Sequence, residues 1–174
     1  NGIPIDYVAG TSMGAIVGSM YAMGLTPEEM MKIIKSDDFK YWLTGQDEPE
    51  YVAYFRNGDQ KPEFMGVSFR FNPHDTVKVK SNILPTHIVP THQLNYAFLA
   101  LFSQATAISD KNFDRLFVPF RCVASDISEK VPVVFNKGSL GDAVRASMTF
   151  PLVFKPIVID GRLLFDGGIY NNFP

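Results

Sequence analysis

Ser12 stands in Gly10-Thr11-Ser12-Met13-Gly14, a G-x-S-x-G pattern. Ahead of it, residues 3–9 form a short apolar run that reads as a buried strand. Behind it, residues 13–23 read as a helix. A serine on a sharp strand-to-helix turn is a nucleophile elbow, with its hydroxyl held out by a strained backbone. Glycine at 10 and 14 is expected where the two backbones crowd and side chains would clash. The same turn aims the backbone N–H of Met13 at the place where an oxyanion would form. The plainer reading is a glycine-rich turn that binds phosphate at a helix N-terminus or simply packs tightly.

A serine hydroxyl needs a group to take its proton. The chain has three histidines, His74, His87 and His92. All precede the late acidic residues, the reverse of the Ser, Asp/Glu, His order of α/β-hydrolases. They fall in a proline-rich stretch and at a helix start, and read as surface residues. The second chemical signal is Phe165-Asp166-Gly167-Gly168. Asp166 closes an apolar strand, and the glycines after it let other backbone come close. An Asp-Gly turn is the ordinary reading of such a pair, and Asp160-Gly161 reads as that turn. With an elbow present and no well-placed histidine, Asp166 leads as base in a Ser-Asp dyad. A carboxylate with a reference pKa of about 4 is a weak base for serine. Such a dyad would lean on its oxyanion hole, where one donor is worth about a hundred- to a thousand-fold in rate.

Elements must hold Ser12 and Asp166 together across most of the chain. Gly24 reads as the residue ending the elbow helix. Thr26, Pro27 and Glu29 make a capping box for a second helix running to about Lys35. Asp37 or Asp38 is expected to cap a short turn over residues 39–43. Residues 51–56 and 64–71 read as strands about an Asn57-Gly58-Asp59 turn, a hairpin within a possible insertion over residues 44–72. Its aromatic residues suit either an apolar cover over the site or a small core of their own. Thr91 is placed to cap a helix over residues 92–107 with Leu94, Phe98, Leu101 and Phe102 on one face. Strands follow at 120–124 and 131–135, then a helix opened by Ser139 and ending near Met148, then a hairpin over 154–165 turning at Asp160-Gly161. Helices alternating with strands, then hairpins, predict an α/β fold with a mixed sheet covered on both faces.

The 174 residues suffice for one domain with a core, and a net charge of -2 offers no electrostatic case for nucleic acid. The single cysteine, Cys122, excludes an internal disulfide and reads as a buried structural thiol. No His/Cys cluster has metal-ligand spacing, no apolar run is long enough to span a bilayer, and the start does not read as a signal peptide. The chain opens just before a buried strand without an initiator methionine and closes on Asn171-Asn172-Phe173-Pro174, which reads as a piece of a longer protein.

Taken together, these residues resemble the patatin-like phospholipase family. The resemblance rests on the Ser12 elbow and on Asp166-Gly167-Gly168. Between them, in matching order, lie the strand through Cys122 to Asp126 and Ala143-Val144-Arg145-Ala146-Ser147 leading to Pro151; Asn171 to Pro174 follow. It covers nearly the whole chain. It implies a three-layer α/β/α sandwich around a mixed, mainly parallel sheet, forming a single catalytic domain. It further implies a serine acyl hydrolase with Ser12 as nucleophile, Asp166 as general base and the Met13 N–H as oxyanion donor, using no metal or cofactor. Substrates would be phospholipids or acylglycerols, met at a membrane surface. The family's glycine-rich oxyanion loop lies upstream of the elbow, before residue 1. Bacterial relatives are sometimes fused to further domains, outer-membrane barrels among them. A lipid-binding domain without turnover, and a serine hydrolase drawing its histidine from elsewhere, are the alternatives.

Overall fold

The computed structural model describes residues 4–46, 66–68, 80–82 and 87–174; at 66–68, 80–82 and His87 the description is of the backbone. The first strand, β1, is Val8–Gly10, shorter than the apolar run that announces it, and α1 (Met13–Ala22) follows at once. Helix α1 is tightly seated: a Cβ on Gly18 would stand 2.9 Å from Val8 and 3.2 Å from Phe120. Ala15, Ile16 and Met20 are fully buried. Gly24, at φ 97°, ends the helix as expected.

Helix α2 (Pro27–Ile34) has the predicted capping box. The Thr26 N–H donates to the Glu29 carboxylate at 2.8 Å and the Glu29 N–H donates to Thr26 Oγ1 at 3.3 Å. The hydrogen bonds from Thr26 backbone and hydroxyl hold the Glu29 carboxyl below its usual range. Helix α3 (Asp37–Thr44) is capped by Ser36, not by either aspartate. Ser36 has the extended backbone an N-cap needs, and its hydroxyl accepts from the Phe39 N–H. Asp37 and Asp38 instead occupy the first turn, where their charge meets the positive end of the helix. Gly45 ends α3 in the left-handed region, and a Cβ there would lie 2.8 Å from Pro90. The excursion between residues 45 and 90 therefore leaves and returns at one point.

Within it, β2 (Gly66–Ser68) pairs antiparallel with β3 (Lys80–Asn82). β2 falls inside the second strand of the expected hairpin; residues 51–56 and the turn at Asn57-Gly58 lie outside the described residues. Strand β4 (His87–Val89) precedes α4 (His92–Ile108). Thr91 sits at the cap position of α4 without an extended backbone or a side-chain cap bond. The predicted stripe is the buried face of α4: Leu94, Phe98 and Phe102 are enclosed, and Leu101 packs at the margin. Each such side chain contributes about 1.5–3 kcal/mol on burial.

Strand β5 (Phe120–Asp126) is the axis of the main sheet. β6 (Val131–Phe135) pairs antiparallel to it, and α5 (Leu140–Ser147) begins under a Ser139 cap. Strand β7 (Leu152–Phe154) joins β4 in a small parallel pair. β8 (Ile157–Ile159) and β9 (Arg162–Asp166) form the expected hairpin. Asp160 and Gly161 turn it with φ values of 50° and 76°, the double left-handed geometry of a two-residue hairpin loop. The sheet is mixed as expected, but among the described strands it is not mainly parallel: only β1 is parallel to β5, while β6 and β9 are antiparallel to it and β8 to β9, because short hairpin connections return the chain at these edges. The principal core joins α1, α3, α4 and α5 over Phe120 and Cys122 of β5. Cys122 is wholly buried, and burial pushes its thiol pKa up, as befits a structural thiol.

Candidate active site

The strand register explains how two residues 154 positions apart in sequence come to one place. Cys122 has two strand partners, Gly10 of β1 and Phe135 of β6, and Ala124 likewise has Asp166 of β9 and Val133 of β6. A strand has two edges, and β6 holds one of them along residues 122–126. β1 and β9 must therefore share the other edge, end to end. β1 runs parallel to β5 and stops opposite Cys122; β9 runs antiparallel and stops opposite Ala124. The two chains approach each other head-on and both turn away at the gap, β1 into the elbow and β9 into a 3-10 turn over Gly167–Ile169.

At the elbow, Ser12 has φ 55° and ψ -122°, a conformation a non-glycine residue holds at a cost of about 1–3 kcal/mol. Gly10 is required there, since a Cβ would stand 2.3 Å from the Gly14 carbonyl oxygen. Gly14 is not required in that sense: a Cβ on it meets nothing within 4 Å. The crowding expected of both glycines falls on Gly10 alone, because Gly14 already lies in the first turn of α1 and faces outward. Met13 opens α1, so its N–H has no acceptor in the preceding turn and lies at the positive end of the helix.

Asp166 is buried, and its Oδ1 accepts the Gly168 N–H at 2.7 Å. Among the described residues Oδ2 has no hydrogen-bond donor. Gly167 passes hard against β5, where a Cβ would lie 2.1 Å from the Val123 carbonyl oxygen. Ser12 and Asp166 line one pocket of about 370 Å³, with Phe150, Pro151, Gly168, Ile169 and Asn172. A larger cavity of about 480 Å³ beside α4 and α5 contains neither residue.

No histidine is among the described residues lining the Ser12 pocket. His92 begins α4, while His74 and the side chain of His87 lie outside the described residues. Among the described residues no group of three or more His, Cys, Asp or Glu is arranged to hold a metal, and no helix is long and apolar enough to cross a membrane.

Sequence reasoning treated α5 only as a landmark, yet it braces both halves of the site. The Ser12 N–H donates to Ser147 Oγ at 3.1 Å, and that hydroxyl donates to the Val123 carbonyl at 2.6 Å. The Asp166 N–H donates to the Thr149 carbonyl at 2.8 Å. Thr149 is in turn bonded through its hydroxyl to the Arg145 guanidinium. Arg145 also donates to Asn95 Oδ1 at 3.0 Å and to the Lys155 carbonyl at 2.9 Å, and lies over the Phe154 ring. Thr11 adds a direct tie, donating to the Asn171 carbonyl at 3.0 Å. The signal available in sequence was an arginine and a serine among the small and apolar residues that follow Asp142 on this helix.

Arg145 is almost fully buried, and desolvation lowers its pKa to about 10, still high enough to keep it charged at neutral pH. Replacement by methionine would strand three acceptors that a cation now satisfies. Arg145→Met is expected to lose about 3 kcal/mol or more of stability, read as a lower urea midpoint.

A profile of the patatin-like phospholipase family matches residues 1–174. The chain belongs to the patatin-like phospholipase family. It is 27% identical over 173 residues to the lysophospholipase NTE1 of Mycosarcoma maydis, covering 99% of this chain and 7% of that protein. It is 26% identical over 182 residues to the human patatin-like phospholipase domain-containing protein 6, covering 99% and 10%. An NTE family protein of Mycobacterium tuberculosis is 26% identical, covering 99% and 37%. The patatin-like chain thus spans well under half the length of these relatives. In fold it is similar to VipD from Legionella pneumophila, with a TM-score of 0.53 at 17% identity over 97% of this chain and 41% of that one. The patatin-like fold expected from the sequence is thereby established.

Proposed function

We propose that this chain hydrolyses fatty-acyl esters of phospholipids or acylglycerols through Ser12 and Asp166. Ser12 Oγ attacks the acyl carbonyl while its proton passes to the Asp166 carboxylate. The negative charge on the carbonyl oxygen falls near the Met13 N–H and the positive end of α1. Collapse breaks the ester C–O bond, and the departing alcohol takes the proton from Asp166. A water molecule then gives its proton to Asp166 and attacks the acyl-serine; the Ser12 Oγ–acyl bond breaks, Ser12 Oγ takes that proton back from Asp166, and free fatty acid leaves. The observation that carries this reading is the shared pocket of Ser12 and Asp166, with one carboxylate oxygen fixed by Gly168 and the other free to accept.

The pocket mouth suits an acyl chain and a lipid surface. Phe150 and Ile169 line it while remaining exposed, and Leu152, next to Pro151, is 69% exposed with φ 67°. One relative is named a lysophospholipase, so a lysophospholipid is the first substrate to try. Asp166→Asn is expected to lower kcat by about 10³-fold or more, by analogy with loss of a carboxylate from a serine triad. Substituting alanine at His74, His87 and His92 together should leave kcat within a few-fold. The reverse pattern would transfer the base role to a histidine. A folded protein that binds lipid without turnover would make this a lipid-binding domain.

A further inference from the structure

We infer that Ser147, on α5, is a positioning residue that holds the nucleophile elbow in its strained form; this rests on Ser12 being the nucleophile. The gap between β1 and β9 leaves residue 123 of β5 without a strand partner on that edge, since β1 pairs as far as Cys122 and β9 from Ala124. A buried carbonyl at such a break needs another donor. Ser147, wholly buried at the end of α5, supplies it: its hydroxyl donates to the Val123 carbonyl at 2.6 Å.

A hydroxyl has one proton. With that proton committed to Val123, the Ser147 oxygen can only accept from its other neighbours, and the Ser12 N–H lies on it at 3.1 Å. Rotation of the hydroxyl toward another acceptor would break the shorter bond. The peptide joining Thr11 to Ser12 is thereby pinned to β5. That peptide sets the φ of Ser12, held at 55°. Gly167 passes against the same Val123 carbonyl, and the elbow reaches that carbonyl through the Ser147 hydroxyl. Removing the Ser147 hydroxyl frees the peptide to rotate and relax the strain. The Ser12 side chain and the Met13 N–H would then leave their working directions together. Ser147 lines no part of the Ser12 pocket, so substrate affinity should not depend on it.

The test compares Ser147→Ala, Ser147→Thr and Ser12→Ala in the full-length protein with p-nitrophenyl butyrate, a soluble ester that needs no lipid surface. Ser19→Ala is the control: Ser19 is equally buried on α1, and its hydroxyl donates only within its own helix, to the Ile16 carbonyl. Ser147→Ala is expected to lower kcat by about 10–100-fold with KM within about twofold, the split of an interaction used only on the way to the transition state. Labelling by a fluorophosphonate should slow by the same factor. Ser147→Thr, which keeps a hydroxyl on the same carbon, should retain kcat within a few-fold. Ser19→Ala should lower the melting temperature without the kcat loss. Wild-type kcat in folded Ser147→Ala would overturn the proposal, as would an equal loss in Ser147→Thr. Activity persisting in Ser12→Ala would instead overturn the assignment of the nucleophile, and with it the role given to Ser147.

Discussion

Ser12→Ala is expected to reduce ester hydrolysis by about four orders of magnitude or more, by analogy with loss of a serine nucleophile elsewhere. The expectation follows from how specialised the position is. A side chain held at φ 55° carries a conformational cost that ordinary packing would remove by placing glycine there. The residue is half-buried, opens onto the pocket that Asp166 lines, and stands at the positive end of α1. Alanine keeps the Cβ, so the backbone strain and the Ser147 contact persist while the attacking oxygen is gone. Circular dichroism and the urea midpoint should therefore match wild type. Fluorophosphonate labelling should vanish with the activity. Labelling that survives in Ser12→Ala would place the reactive serine elsewhere in the chain.

Gly167→Ala is expected to remove about 3 kcal/mol or more of stability, at or beyond the upper end of ordinary overpacking, because the added carbon meets backbone. It would lie 2.1 Å from the Val123 carbonyl oxygen, 2.7 Å from its carbon and 2.9 Å from Thr11 Cγ2. None of these can retreat cheaply. Val123 belongs to the central strand, which β6 holds along its other edge, and its oxygen also receives the Ser147 hydroxyl. Thr11 is buried and tied to Asn171. The strain would be relieved by prying β9 away from β5, which carries Asp166 off its position opposite Ala124. Gly14→Ala is the matched comparison: its Cβ meets nothing, and alanine favours the helix. Equilibrium urea unfolding should show a sharply lower midpoint for Gly167→Ala and an unchanged or higher one for Gly14→Ala. Equal midpoints would mean that the turn after Asp166 has more room than its packing indicates.

The local elements were legible because their causes are local. A capping box needs only Thr26 and Glu29 in register, a two-residue hairpin loop needs Asp160-Gly161, and the buried face of α4 follows from the spacing of Leu94, Phe98 and Phe102. The elbow was legible for the same reason, since strand, turn and helix are contiguous. Local pattern failed where two neighbours offered similar chemistry. Ser36 took the cap that Asp37 or Asp38 was expected to hold, since only Ser36 has the extended backbone. It failed also at Gly14, whose need for glycine depends on what else approaches the turn.

What sequence pattern could not derive was the meeting of Ser12 and Asp166. That depends on β1 and β9 sharing one edge of β5 from opposite directions, a property of register between strands more than a hundred residues apart. The roles of Ser147, Thr149 and Arg145 follow from that meeting. Their partners are backbone groups in the elbow, on β5, on β9 and at Lys155, and a side chain on α4, and nothing in the order of residues along α5 names them. The sequence by itself determined which side chains could do acyl-transfer chemistry, through their types and their flanking glycines. Only the tertiary structure decided that they face one pocket, because hydrogen bonds across a broken strand edge form only once the sheet has closed around β5.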